Sequence, residues 1–272
     1  MRARARHSSV GVGTPPVREG RTSSSWFQEH LDAAREIIEF LAGDGVSLTG
    51  LEVADVGSGD GIIDLGLMLE AAPSRLVGLD IVLTDAQQLL QLARREKVVQ
   101  ELPSALEFRR SEHRRLPADD RSFDAVISWS TFEHVEAPSA VIEEIGRILR
   151  PGGLFMLQVW PFFHAQHGSH LWQYFPEGWI QLLRARTDVI DAVRLDPGPD
   201  PEWAERLIDE FRSCNGLSLD GLQSAMTATG FTIRKVELIT APVHIPEELQ
   251  HVPLTLLCVS GVKMLATSAP EP

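Results

Sequence analysis

Val53-Ala54-Asp55-Val56-Gly57-Ser58-Gly59-Asp60-Gly61 is the stretch on which the fold turns. A short apolar run, 51–56, meets three glycines spaced by single residues, and an apolar, helix-compatible stretch, 60–71, follows at once. Glycines in such a turn let the backbone bend sharply and approach a ligand closely, and a helix N-terminus favours anionic groups. Outward from it, a regular alternation continues. Strands are expected at 75–81, 105–110, 123–129 and 154–160, and helices at 84–98 and 138–149, the last stopped by Pro151-Gly152-Gly153. Nearly continuous apolar strands alternating with helices imply a parallel sheet buried on both faces, with right-handed crossovers. Residues 161–216 break the rhythm with mixed Pro, Gly, His and Trp, and read as an inserted cap segment. A helix at 218–229 closed by Gly230, then strands at 231–239 and 254–265, complete the pattern. The expected fold is α/β: a Rossmann-like, seven-stranded, mostly parallel sheet with helices on both faces and an insert after strand five.

Ahead of the alternation, Phe27, Leu31, Ala34, Ile37, Ile38 and Leu41 recur at helical spacing. Residues 1–25 hold five Arg and one Glu with almost no apolar content, which reads as a disordered tail without the apolar core of a secretory signal. The domain is therefore expected over 26–272. No run reaches about 18 apolar residues, so a membrane-spanning helix is not expected. The chain has 272 residues and a net charge of -13, which disfavours a dedicated nucleic-acid binder. Cys214 and Cys258 are too few for a disulfide framework or a cysteine-based zinc site. A cytoplasmic location is expected from the missing signal.

Asp80 closes the second strand about 20 residues after the glycine turn, where a carboxylate can accept hydrogen bonds from ribose hydroxyls. With this residue the sequence resembles the class I S-adenosylmethionine-dependent methyltransferases, over roughly 50–160 and 218–265. The spacing Asp55-Val56-Gly57-Ser58-Gly59-Asp60-Gly61 is similar to that family's first motif rather than to the dinucleotide-binding G-x-G-x-x-G. LVGLDI (76–81), LPADDRSFDAVISWSTFEHV (116–135) and EIGRILRPGGLFML (144–157) resemble its later motifs, in order. The resemblance implies S-adenosyl-L-methionine as cofactor. Gly57, Ser58 and Gly59 would lie under its methionine and ribose, and Asp55 would hold the turn or reach its amino group through water. Asp80 would hold the ribose, with Ile81 against the adenine. Glu112 would accept from the adenine amino group. His113 departs from the family's usual alanine there. Ser128 would touch the methionine end.

Methyl transfer to an alcohol needs the acceptor aligned and its proton removed, and histidine suits that task. One candidate is His134, in the Glu133-His134 pair after strand four. The others are His167 and His170, ahead of His164, within Phe162-Phe163-His164-Ala165-Gln166-His167-Gly168-Ser169-His170-Leu171-Trp172 just beyond strand five. That edge is where open α/β sheets bind ligands. Phe162, Phe163, Trp172, Tyr174 and Trp179 would line an acceptor pocket, with core or lid packing as the plainer alternative. An i, i+3, i+6 run does not put three histidines on one helical face, so no metal site is assigned. Ser128-Trp129-Ser130-Thr131 lacks the Asn/Asp-Pro-Pro-Tyr/Phe run of amino-methylating DNA enzymes. The reading is O-methylation of a small organic acceptor, of sugar or natural-product type. N- or C-methylation, or a non-catalytic partner or regulator that binds the same cofactor, are the alternatives. The sequence does not name the acceptor or the oligomeric state.

Overall fold

A computed structural model describes residues 23–270 of the chain. Residues 1–22, most of the expected tail, lie outside the described residues. Helix α1 (Ser23–Ala42) begins three residues ahead of Trp26, where the domain was expected to open. The alternation then runs β1 (Glu52–Val56), α2 (Ile62–Glu70), β2 (Arg75–Asp80), α3 (Ala86–Arg95), β3 (Leu106–Arg110), β4 (Phe123–Trp129), α4 (Pro138–Ile148) and β5 (Leu149–Val159). The insert holds α5 (Ile180–Leu183), α6 (Arg186–Leu195) and α7 (Pro201–Ser213); α8 (Leu219–Ala228), β6 (Thr232–Thr240), α9 (Leu254–Cys258) and β7 (Val259–Thr267) close the chain. Local chemistry sets several starts. Asp85 caps α3 by accepting from the Gln87 and Gln88 amides, Asp200 caps α7 ahead of Pro201, and Ser218 caps α8.

The strands form one seven-stranded sheet in the order β3-β2-β1-β4-β5-β7-β6. The first five are parallel; β7 runs antiparallel to both β5 and β6. Period-two alternation divides each strand between two cores. Ala54, Val56, Val126, Phe155 and Leu157 face the side of α4 and α8, with Ile142, Ile145, Met226 and Phe231. Val53, Ala125, Ile127 and Met156 face α1 and α2, with Ile37, Leu41 and Leu67. The insert has its own core of Leu171, Ile180, Val189, Val193, Leu207, Ile208 and Phe211. Among the described residues, no helix is long and apolar enough to cross a membrane.

Two boundaries differ from expectation. Pro151-Gly152-Gly153 does not precede β5 but bulges within it: Phe123 pairs with Leu149 and Ala125 with Leu154, and Gly152 takes the left-handed φ of +73°. The apolar run from Leu254 is not all strand. Its first five residues coil as α9, because Leu257 packs beneath the insert with Trp179 and Leu249, and the strand starts only at Val259.

Candidate active site

The parallel strands all point their C-terminal ends to one edge, and the glycine turn lies there between β1 and α2. Gly57, Gly59 and Gly61 have φ of +92°, +53° and +78°, a region costly for side-chain-bearing residues. Two of them are glycine for different spatial reasons. A Cβ on Gly57 would lie 2.1 Å from Thr131 Oγ1, so the turn after β4 rests directly on this residue. A Cβ on Gly59 would meet nothing within 4 Å, so its open face is free for a ligand. Of the two glycines expected under a ligand, Gly59 has an open face, and at Gly57 that side is filled by Thr131.

Asp80 pins the turn. Its Oδ2 accepts from the Gly59 amide at 2.9 Å and its Oδ1 from the Val82 amide at 2.9 Å. Ile81 beside it is 44% exposed. The buried Ser58 hydroxyl meets Thr84 Oγ1 at 3.1 Å, and Thr84 donates to the Gly59 carbonyl at 2.9 Å. From α1, the Trp26 indole donates to Asp60 Oδ2 at 2.8 Å. Beneath the turn, Asp55 and Asp64 are both buried and interact with each other. Burial, then the charge of Asp80, pushes the Asp55 carboxyl up to about 7; burial and Asp55 hold Asp64 well above the usual carboxylate range. Asp55 Oδ1 and both Asp64 oxygens are buried without a hydrogen-bond partner.

A strand-end carboxylate beside an open glycine, above a buried carboxyl with an unpartnered oxygen, suits a nucleoside that carries a cationic chain. Hydroxyls can add to the free lone pairs of Asp80, and a cation favours ionised Asp55. Gly59, Asp80, Ile81 and Asp55 therefore fit S-adenosylmethionine. Other expected contacts are placed differently. Ser128 is fully buried and donates its only proton to the Val56 carbonyl at 2.7 Å, tying β4 to β1 instead of reaching the edge. Glu112 and His113 are exposed on a turn closed by the Glu112 amide on the Arg115 carbonyl at 3.0 Å.

The candidate bases are sorted by the insert. His134 and His170 come together, ring centroids 4.8 Å apart, although they are far apart in sequence. Trp172 follows at 6.0 Å from His170, and Trp160, at the end of β5, at 6.1 Å from Trp172. Burial lowers the His134 ring to about 4, and burial with the neighbouring His134 lowers His170 to about 3. Both rings are neutral at neutral pH, so the 3.9 Å approach of Glu210 to His170 Nδ1 is not an ion pair there. His170 holds a left-handed φ of +60°, a strain that costs about 1–3 kcal/mol and is kept by its surroundings. His167 does not join the pair. It and His164 are half-buried within consecutive turns, each lowered by burial, and His164 lies against Phe163. Among the described residues, no three His, Cys, Asp or Glu side chains are grouped to hold a metal ion.

Most of the expected pocket aromatics are packing residues. Phe162 belongs to the sheet core, Trp179 is buried against Leu249 and Leu257, and Phe163 and Tyr174 pack on the insert's core. Trp172 alone of the five stays with the histidine pair. Sequence reasoning missed Asp64, Thr131, Trp160, Ser213 and Asn215. Only Asp64 left a signal, a carboxylate within the apolar run Ile62-Ile63-Asp64-Leu65-Gly66-Leu67.

Residues 54–157 match a family model described as a methyltransferase domain. The chain is 27% identical over 154 residues to a ubiquinone biosynthesis O-methyltransferase of Roseobacter denitrificans, covering 50% of this chain and 58% of that protein. It is 29% identical over 126 residues to the erythromycin 3''-O-methyltransferase of Saccharopolyspora erythraea, covering 46% and 40%. At 58% and 40%, the chain spans about half the length of these curated relatives. A crystal structure of geranyl diphosphate C-methyltransferase from Streptomyces coelicolor, holding S-adenosyl-L-homocysteine, superposes with a TM-score of 0.54 at 14% identity, covering 86% of this chain and 76% of that one. With its strand order and a matched stretch that runs from the first strand to the fifth, residues 54–157 are similar to a methyltransferase domain of the S-adenosylmethionine-dependent kind.

Proposed function

We propose that the protein transfers a methyl group from S-adenosylmethionine to a hydroxyl oxygen of a small organic acceptor, with His134 as the base. One observation carries this reading: the turn that bears His134 rests on the glycine turn. Thr131 packs on Gly57, and the His134 amide donates to the Thr131 carbonyl at 2.9 Å. A base in this position is tied to the same loop that would hold the cofactor. The names of the two O-methyltransferase relatives support oxygen as the acceptor atom, and the net charge of -13 favours a small molecule over nucleic acid.

The bound cofactor supplies an electrophilic methyl on a sulfonium. The protein's own work is alignment, water exclusion and removal of one proton. Asp80 and Gly59 would fix the nucleoside, Ile81 would cover its base, and Asp55 would face its cationic chain. The insert would close over the acceptor, with Trp160 and Trp172 as an apolar wall. His134, neutral at neutral pH, is in the form that accepts a proton. The expected pH profile of kcat/KM keeps this group active down to about 4, where an unperturbed histidine would already fail near 6.5.

The test has two arms. Calorimetric titration of the full chain with S-adenosylmethionine and S-adenosylhomocysteine should give binding that Asp80→Ala weakens at least about tenfold, or about 1.4 kcal/mol. A screen of hydroxylated acceptors should then give turnover that His134→Gln lowers about 10²-fold or more, with cofactor binding retained. Binding without turnover across acceptors would favour a non-catalytic partner or regulator. No binding by folded protein would overturn the reading.

A further inference from the structure

The end of α7 grips the turn that carries His134. The Asn215 side-chain amide donates to the Phe132 carbonyl at 2.7 Å and the Val135 carbonyl at 2.8 Å, and its backbone amide donates to the Glu133 carbonyl at 2.8 Å. Its Oδ1 accepts from the Leu217 amide at 2.9 Å, which fixes the orientation of the side-chain amide. One residue of the insert thus engages three carbonyls around His134.

Two residues earlier, Ser213 Oγ lies 2.9 Å from His134 Nδ1. A hydroxyl has one proton. Ser213 spends it within its own helix, on the Glu210 carbonyl at 2.8 Å. A hydroxyl that makes this bond offers the ring an acceptor, which selects the neutral tautomer with its proton on Nδ1 and its lone pair on Nε2. The second imidazole, His170, lies beside the ring at 4.8 Å, and burial disfavours charging the His134 ring.

We propose that Ser213 and Asn215 are positioning residues for His134: Asn215 holds its turn, and Ser213 holds its ring as the Nδ1–H tautomer with Nε2 open as the proton acceptor. This rests on the reading of His134 as base for its purpose, but not for its truth, since the tautomer exists with or without turnover. The insert therefore does more than cover an acceptor. It sets the chemical form of a side chain that belongs to the sheet's own edge.

The test is the long-range proton–nitrogen NMR spectrum of full-length protein labelled with nitrogen-15 in histidine, at neutral pH, with His134 assigned by His134→Gln. The wild type should show a protonated Nδ1 and an unprotonated Nε2 for His134. Ser213→Ala should move this ring toward the Nε2–H form, and Ser213→Thr, which keeps a hydroxyl, should restore the original pattern. Asn215→Asp keeps the acceptor for Leu217 but loses both side-chain donors, and should speed exchange of the His134 amide at least about tenfold. A wild-type ring protonated at Nε2, or a tautomer unchanged in Ser213→Ala, overturns the assignment for Ser213. An unchanged His134 amide in Asn215→Asp overturns it for Asn215. Cofactor titration of the same samples separates the two readings, because a chain that binds no S-adenosylmethionine can still show the tautomer.

Discussion

Gly57 is constrained by a neighbour 74 residues further along the chain, the side chain of Thr131. Gly57→Ala should therefore destabilise the protein by about 1–3 kcal/mol, from strained backbone and a clash that must displace the turn after β4. Adding Thr131→Gly should recover the steric part. Strict additivity of the two changes in denaturant midpoints would refute the contact. The Asp55–Asp64 pair carries a second prediction. Asp55 titrates near 3.8 when unfolded and near 7 when folded, so the folded form keeps a proton that the unfolded chain has lost. Stability from this group is fully present below about 3.8 and is lost as pH rises through about 7. Asp55→Asn, which removes this carboxyl and the charge that raises Asp64, should shrink the fall in melting temperature between pH 5 and pH 8, and an unchanged slope would remove the pair from the account. Asp80 and the glycines were legible because their meaning lies in local spacing after a strand. Thr131, Ser213 and Asn215 were not, because each acts on a partner more than seventy residues away.

Among the elements, the insert is separable in its packing. Phe211 is 1% exposed within a core shared by α5, α6 and α7, and Arg186 stacks on its ring at 5.2 Å. Phe211→Ala should leave a cavity costing about 3–5 kcal/mol. Because that core is distinct from the two sheet cores, the loss should appear as local opening: faster amide exchange and protease cutting within 161–216, with β1 and β4 amides still protected. Uniform loss of protection would show that the insert and sheet melt as one unit. The strands and helices of the sheet were readable because apolar runs alternate with helical periods. The Pro-Gly-Gly bulge in β5 and the α9 turn were not, since both are decided by what lies across from them: β4 in one case, Trp179 in the other. The aromatics of the insert stayed open between a pocket wall and core packing for the same reason, as composition does not separate the two.

Across the whole molecule, the two edges of the sheet are built oppositely. At the edge away from the candidate site, charges pair in a row along the strand starts: Arg150 with Glu52 and with Asp124 at 2.8 Å, Arg75 with Glu107 at 3.0 Å, and Arg109 with Glu107 at 2.9 Å. Hydrogen bonds from Arg75 and Arg109 hold Glu107 down at about 2. Its contribution is present above about 4.5 and is lost as pH falls toward 2, so Glu107→Gln should narrow the drop in melting temperature between pH 5 and pH 3. Solvent and salt screen these partly exposed pairs, so the effect should fade at high ionic strength. The opposite edge keeps buried carboxyls and neutral imidazoles, and it is there that the insert returns. The chain departs at Val159 and comes back through Ser213 and Asn215 onto residues 132–135. A chimaera that exchanges 161–216 for the corresponding segment of another protein would therefore import more than a new binding surface. Unless the donor segment ends in a serine and an asparagine at the same places, His134 would lose the contacts that hold its turn and ring, and on the proposed function a cassette swap would call for the splice to be made ahead of Ser213.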